Sequence, residues 1–255
     1  MTQEKPLRTF GNRWADAVGP GGGSDRDRCT CCHWDGEQQA ERVHFHGERQ
    51  DTSAPGWLRL LELIEEAAAD GREEFKPLVE LGPAERRQIV TLPPTIAKLT
   101  AVRHLVLYGS NLVRIPPEIG GMTGLEEFSP YTSHRLHWFP YEITRCARLR
   151  DSTVSTRVLY GNFKNRPPFP ELLPGRADPG SQGADAVRGC SVCAAPIDDG
   201  FRQVWISLRV ATDVLPLLVN ACSAACVEAL PPPAERYVPI PHEGGPGVAQ
   251  PAARW

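Results

Sequence analysis

Four cysteines near the end of the chain carry its strongest chemical signal. Cys190 and Cys193 form a Cys-x-x-Cys pair, and Cys222 and Cys226 form a second pair further on. Thiolates are soft ligands, and four of them close a tetrahedral shell around zinc. Such a shell leaves no position for water, so the ion is structural. The competing reading of the same residues is four buried free thiols. A second group lies near the start: Cys29, Cys31, Cys32, His33, His44 and His46. His44 and His46 flank Phe45 at strand alternation, so both can face one ion. Cys-x-Cys-Cys-His departs from the usual two-ligand knuckle. The group is therefore either a second metal site or a partly exposed cluster in a loose leader.

No other chemistry-bearing pattern stands out. The sequence holds no phosphate-binding glycine loop, no nucleophile motif and no histidine pair at helical spacing with a glutamate between. His104, His134 and His137 are isolated, as surface or wedge residues are. Cys146 occupies an apolar place, where cysteine acts as a small core residue. The expectation is a protein that is not an enzyme.

The elements around the four cysteines follow from local pattern. FRQVWISLRV and VLPLLVN read as the strands of a hairpin, and CSAACVEAL as the first turns of a helix, where residues i and i+4 share a face. Knuckle, hairpin and helix together, over residues 189–233, resemble a treble-clef zinc finger. The resemblance implies structural Zn2+ on Cys190, Cys193, Cys222 and Cys226, and says nothing of a partner.

Upstream, VRHLVLYGSNLVRIPPEIGGMTGL places apolar residues at Val102, Leu105, Leu107, Leu112, Ile115, Ile119 and Met122, and Leu125 starts the pattern again. Ile89, Leu92, Ile96 and Leu99 match its second half. Leu125, Phe128, Leu136, Phe139, Ile143, Cys146 and Leu149 follow it, with Pro130 in place of a strand leucine. The pattern resembles a leucine-rich repeat. The family's ladder asparagine is replaced by Ser110, with Asn111 beside it. A third unit aligns Leu159-Tyr160-Gly161 with Leu107-Tyr108-Gly109 and puts Arg157 at a core position.

The resemblance implies an α/β fold: a short leucine-rich-repeat solenoid over residues 86–173, with an N-terminal helical cap and a small C-terminal four-cysteine zinc domain. Its usual binding face is the concave sheet, here His104, Val106 and Tyr108, then Glu127, Ser129 and Tyr131, then Val158 and Tyr160. Tyr108, Tyr131 and Tyr160 fall at equivalent places and are expected to stack. Such a ladder either recognises a protein or peptide partner or merely stiffens the sheet.

The flanks divide further. Residues 1–28 read as a flexible arm and 29–54 as the Cys/His-rich leader. Residues 55–85 form the helical cap, because WLRLLELIEEAAADG puts Trp57, Leu60, Leu61 and Ile64 on one stripe, widened by Leu58 and Leu63, before Gly71 stops the helix. Residues 174–188 read as a linker and 234–255 as a Pro-rich tail with a loose end. Solenoid ends need covering, and the run Val214, Leu215, Leu217, Leu218 and Val219 is expected to cover the last repeat.

With 255 residues and a net charge of −3, the chain as a whole has no footprint for phosphate backbones. From Tyr131 to Arg166, however, basic residues dominate: Arg135, Arg145, Arg148, Arg150, Arg157, Lys164 and Arg166. They form either a solvated face or, with the finger, a nucleic-acid surface. A nucleic-acid-associated zinc protein is thus the second functional reading, beside an adaptor that binds protein. No apolar run reaches spanning length and MTQEKPLRTF lacks a signal-peptide core, so a cytoplasmic protein with no membrane contact is expected. Eight cysteines without an export signal favour thiols and metal over disulfides. The abundance of Arg, Ala, Gly and Pro suggests a bacterial source.

Overall fold

The computed structural model describes residues 43–172, 189–197 and 201–252. Helix α1 runs over Pro55–Asp70. Proline at its first position presets the helical φ and lacks only a donor that would be unpaired there. Trp57, Leu60, Leu63, Ile64 and Ala67 face inward, while Leu58 is exposed. Gly71, in the left-handed region, ends the helix by donating its N–H to the Ala67 carbonyl. Strand β1 (Glu74–Phe75) and the short helices α2 (Pro77–Glu80) and α3 (Pro83–Arg87) follow.

The middle of the chain alternates short strands with 3-10 turns. The turns cover Pro94–Lys98, Pro117–Gly121 and Tyr141–Arg145, each entered from an extended proline at Pro93, Pro116 or Pro140. The strands are β2 (His104–Val106), β3 (Glu127–Ser129), β4 (Phe139–Pro140) and β5 (Asp151–Ser152). β1, β2, β3 and β5 form one parallel sheet in that order, with His104 opposite Glu127 and Glu127 opposite Asp151. Leu105 and Phe128 point from the sheet into a core completed by Leu112, Ile115, Ile119 and Met122 from the return segments. Neighbouring turns approach so closely that a Cβ at Gly124 would lie 2.3 Å from the Thr100 carbonyl oxygen.

Serines link neighbouring loops. Ser110 and Ser133, 23 residues apart, join through their hydroxyls at 2.6 Å, and the Ser110 N–H donates to Ser133 Oγ. The Thr132 N–H donates to Ser155 Oγ at the same separation. Buried backbone donors in the loops are thereby satisfied by side chains one unit further on.

The C-terminal part folds onto this array. Strands β6 (Arg202–Val210) and β7 (Asp213–Ala221) form an antiparallel hairpin, and β7 also pairs with β4 in parallel, Phe139 opposite Leu217. Val204, Ile206, Leu208, Leu215, Leu217 and Val219 belong to the same buried cluster as the array, next to Val154 and Leu159. The hairpin thus packs against the core of the parallel sheet through Leu215, Leu217 and Val219, whereas Leu218 of the expected covering run turns away. Its opposite face holds Trp205 and Leu218 in a second cluster with Trp138, Tyr160, Phe169 and Val238. Burial on both faces explains the unbroken apolar run of β6 and β7. At the tip, Thr212 Oγ1 accepts from the Ser152 N–H and donates to the Ser152 carbonyl at 2.8 Å, completing the free edge of β5. Helix α4 (Ala224–Glu228) follows.

Three expectations need correction. The parallel strand that follows β3 in the sheet is Asp151–Ser152, not the stretch before Tyr160. Arg157 and Val158 lie in a 3-10 turn, so Arg157 is exposed rather than in the core. The tail end is not loose throughout: His242 pairs with Trp205 through both backbone bonds, and Gln250 donates to the Arg166 and Pro167 carbonyls. The expected arm (1–28), most of the leader and the linker 174–188 lie outside the described residues.

Candidate functional site

The four cysteines converge. Cys190 opens a tight turn closed by its own N–H donating to the Ala195 carbonyl and by the Ala194 N–H donating back to Cys190. Ala194 takes a left-handed φ of 61° to make it. Cys222 follows directly on β7, and Cys226 sits in the first turn of α4, whose N-cap Ser223 accepts the Cys226 N–H. Hairpin and helix cap therefore deliver the second pair to the first.

All four sulfurs lie within 4.8 Å of one another. Cys193 and Cys222 are 3.6 Å apart and Cys222 and Cys226 3.5 Å. Metal–sulfur bonds of about 2.3 Å in a tetrahedron set the sulfurs about 3.8 Å apart, so the group fits a single ion of zinc-like size. Cys190 is 1% exposed. Burial pushes its thiol up, but N–H groups of Cys193, Cys222 and Val192 aimed at the sulfur outweigh that and bring it to about 6. Cys222, among the sulfurs of Cys226, Cys193 and Cys190, is pushed up to about 12. Crowded thiols of this kind resist collective ionisation unless a cation shares the site.

The knuckle is tied to the last 3-10 turn by residues that no motif flagged. Arg145 Nη2 donates to the carbonyls of Cys190 and Ser191, and Ser191 Oγ donates to Glu142 Oε1 at 2.8 Å. Ser191 also exchanges hydrogen bonds with Asn220 of β7. Burial pushes the Glu142 carboxyl above its ordinary range.

Of the second candidate metal group, Cys29, Cys31, Cys32 and His33 lie outside the described residues. His44 is exposed, while His46 stacks on His137 at 5.4 Å and sits 3.2 Å from the Glu48 carboxylate. Phe45 between them turns inward against Trp138 and Trp205.

On the sheet face, His104 and Val106 stand beside Glu127 and Ser129, and His104 Nε2 lies 3.7 Å from Glu127 Oε1. Tyr108 and Tyr131, just past the strands, are 38% and 45% exposed with rings 5.9 Å apart. Tyr160 does not continue the ladder. It is 1% exposed, packed against Trp205, Phe169 and His137, because the chain has left the sheet eight residues earlier at Ser152. Val158 leaves the face with it.

The basic stretch is divided by the fold. Arg135 is buried and paired with Glu48, Arg145 serves the knuckle, and Arg150 pairs with Glu126 at 2.7 Å. Arg148, Arg157 and Lys164 remain exposed. Among the described residues, no helix is long and apolar enough to cross a membrane. No protein-family model, no curated protein and no solved structure matches the chain.

Proposed function

We propose that this chain is a non-enzymatic interaction protein: a short leucine-rich-repeat array, capped by α1 at one end and by a zinc-braced hairpin at the other, that holds a protein or peptide on its sheet face. The observation that carries this reading is the pair Tyr108 and Tyr131. Two large aromatic side chains occupy equivalent positions on neighbouring units, stay exposed, and stand on a fully buried core. Tyrosine joins apolar area to a polar tip and is common at binding hot spots. Zinc on Cys190, Cys193, Cys222 and Cys226 would hold the knuckle against Glu142 and Arg145. Its role is to fix shape, and the protein residues do the recognising.

The test compares capture of partners by the wild-type chain and by Tyr108→Ala/Tyr131→Ala, with and without nuclease and at low and high salt. Capture that survives salt and nuclease but is lost in the variant supports the reading. Capture that collapses with salt or nuclease points to phosphate contacts instead. A variant that melts lower yet captures equally per folded molecule makes the tyrosines a packing feature.

A further inference from the structure

A cavity of about 500 Å³ opens between α1, the 3-10 turns and the cysteine knuckle. That volume suits a small organic ligand. Trp57 of α1 and Trp138 both line it, together with Leu92, Ile115 and Leu218. Indole edges and faces accommodate apolar rings, and the faces attract cations.

Two carboxylates, Glu118 and Glu142, stand together on one side of the wall. Glu142 is 4% exposed. Its Oε1 accepts from Ser191, while Oε2 has no hydrogen-bond partner. Glu118, on the neighbouring turn, is half-buried and makes no hydrogen bond or ion pair among the described residues. Of the charges around the Glu142 carboxyl, the Arg145 guanidinium lowers its pKa and the Glu118 carboxylate raises it. Each guanidinium on the same wall is anchored through one nitrogen: Arg145 Nη2 to the Cys190 and Ser191 carbonyls, Arg114 Nη1 to the Glu48 carbonyl. Glu142 Oε2 is shielded, so Glu118 is the acceptor that a ligand meets first, and a positive charge paired there also eases the burial of the Glu142 carboxyl behind it.

We propose that this cavity binds a small aromatic amine, its ring among Trp57, Trp138 and Ile115 and its ammonium directed to Glu118 and Glu142. The site is separate from the sheet face, so its failure leaves the interaction reading untouched. An NMR titration of the full chain with 2-phenylethylamine, 2-phenylethanol and 3-phenylpropanoate, following the Trp57 and Trp138 indole N–H signals, tests it. The amine should shift both indoles saturably and bind about tenfold tighter than the alcohol, as a charge-assisted hydrogen bond implies. The carboxylate should bind weakest. Glu118→Gln and Glu142→Gln should each erode the preference for the amine while leaving the alcohol unchanged. Glu118 is accessible enough that its variant keeps the fold even where Glu142→Gln does not. Equal affinity for the three probes, no saturable shift at the two indoles, or an unchanged preference in Glu118→Gln overturns the proposal.

Discussion

Stripping any metal from the four cysteines should loosen the parallel sheet as well as the cysteine knuckle. The perturbation is a tight chelator under reducing conditions, or Cys190→Ser. Free of its ion, the knuckle loses the constraint that holds the Cys190 and Ser191 carbonyls toward Arg145 and the Ser191 hydroxyl toward Glu142. Those contacts are three hydrogen bonds. At about 1 kcal/mol net each they couple knuckle to turn by about 3 kcal/mol, a factor of roughly a hundred in a local opening equilibrium. Structural zinc in small fingers is worth about 10 kcal/mol or more in apparent terms, so the ion can impose that coupling. The assay is hydrogen exchange, read at the amides of Cys146, Leu149, Asp151 and Thr153, whose acceptors are Ile143, Cys146, Glu126 and Phe128. Their protection should fall about a hundredfold on chelation, in step with the amides of Cys190 and Ala194. If only residues 189–197 and 222–228 exchange faster while Cys146 to Thr153 keep their protection, the knuckle does not brace the array and the reasoning fails.

Elemental analysis of freshly reduced protein should find about one zinc per chain from the four-thiolate shell, lost in Cys190→Ser and Cys226→Ser. Its absence would remove zinc from the account. His242 should make stability depend on pH. Burial lowers its pKa to about 4 from 6.5, and its Nδ1 accepts the Gly244 N–H. The unfolded chain therefore binds the proton more readily, so the contribution is complete above 6.5 and lost as pH falls toward 4, up to about 3 kcal/mol. Thermal melts of wild type and His242→Gln across that window should converge at the acid end, and parallel curves would contradict the assignment. Tyr108→Ala and Tyr131→Ala should cost no more than about 1 kcal/mol each, the worth of one aromatic pair at an exposed site. A larger loss in urea unfolding would make the pair structural.

The parts legible in the sequence are those set by local spacing. Pro55 and Gly71 bracket α1, and Leu105 with Phe128 mark the strands. The cysteine pairs mark their own convergence, because knuckle and helix cap are local structures. What stayed illegible depends on contacts between distant segments. The echo of LVLYGSNLVRIPPEI in VLYGNFKNRPPFPEL suggested a third strand near Tyr160, yet Asp151 and Ser152, without any apolar signature, make the pairing. Tyr160 is drawn instead into an aromatic cluster built by Trp205, Phe169 and Trp138, whose positions no period relates. Ser133 ties two loops together because its one hydroxyl accepts the Ser110 N–H and donates to the Leu107 carbonyl, a role that a residue pattern does not display. The cavity between Trp57 and Cys190 likewise joins residues far apart in the chain.

The hydroxyl of Thr212 fills, at the edge of β5, the place that the backbone of a following strand would take. The array is thereby closed to extension: a duplicated unit appended after Ser152 would find its pairing edge taken and its core already covered by the hairpin. Lengthening by design would have to occur inside the sheet, between strands that already pair, such as β2 and β3. Each unit inserted there would carry α1 further from the hairpin and draw Trp57 away from Trp138. The length of the sheet thus sets the width of the cavity that Trp57 and Trp138 share.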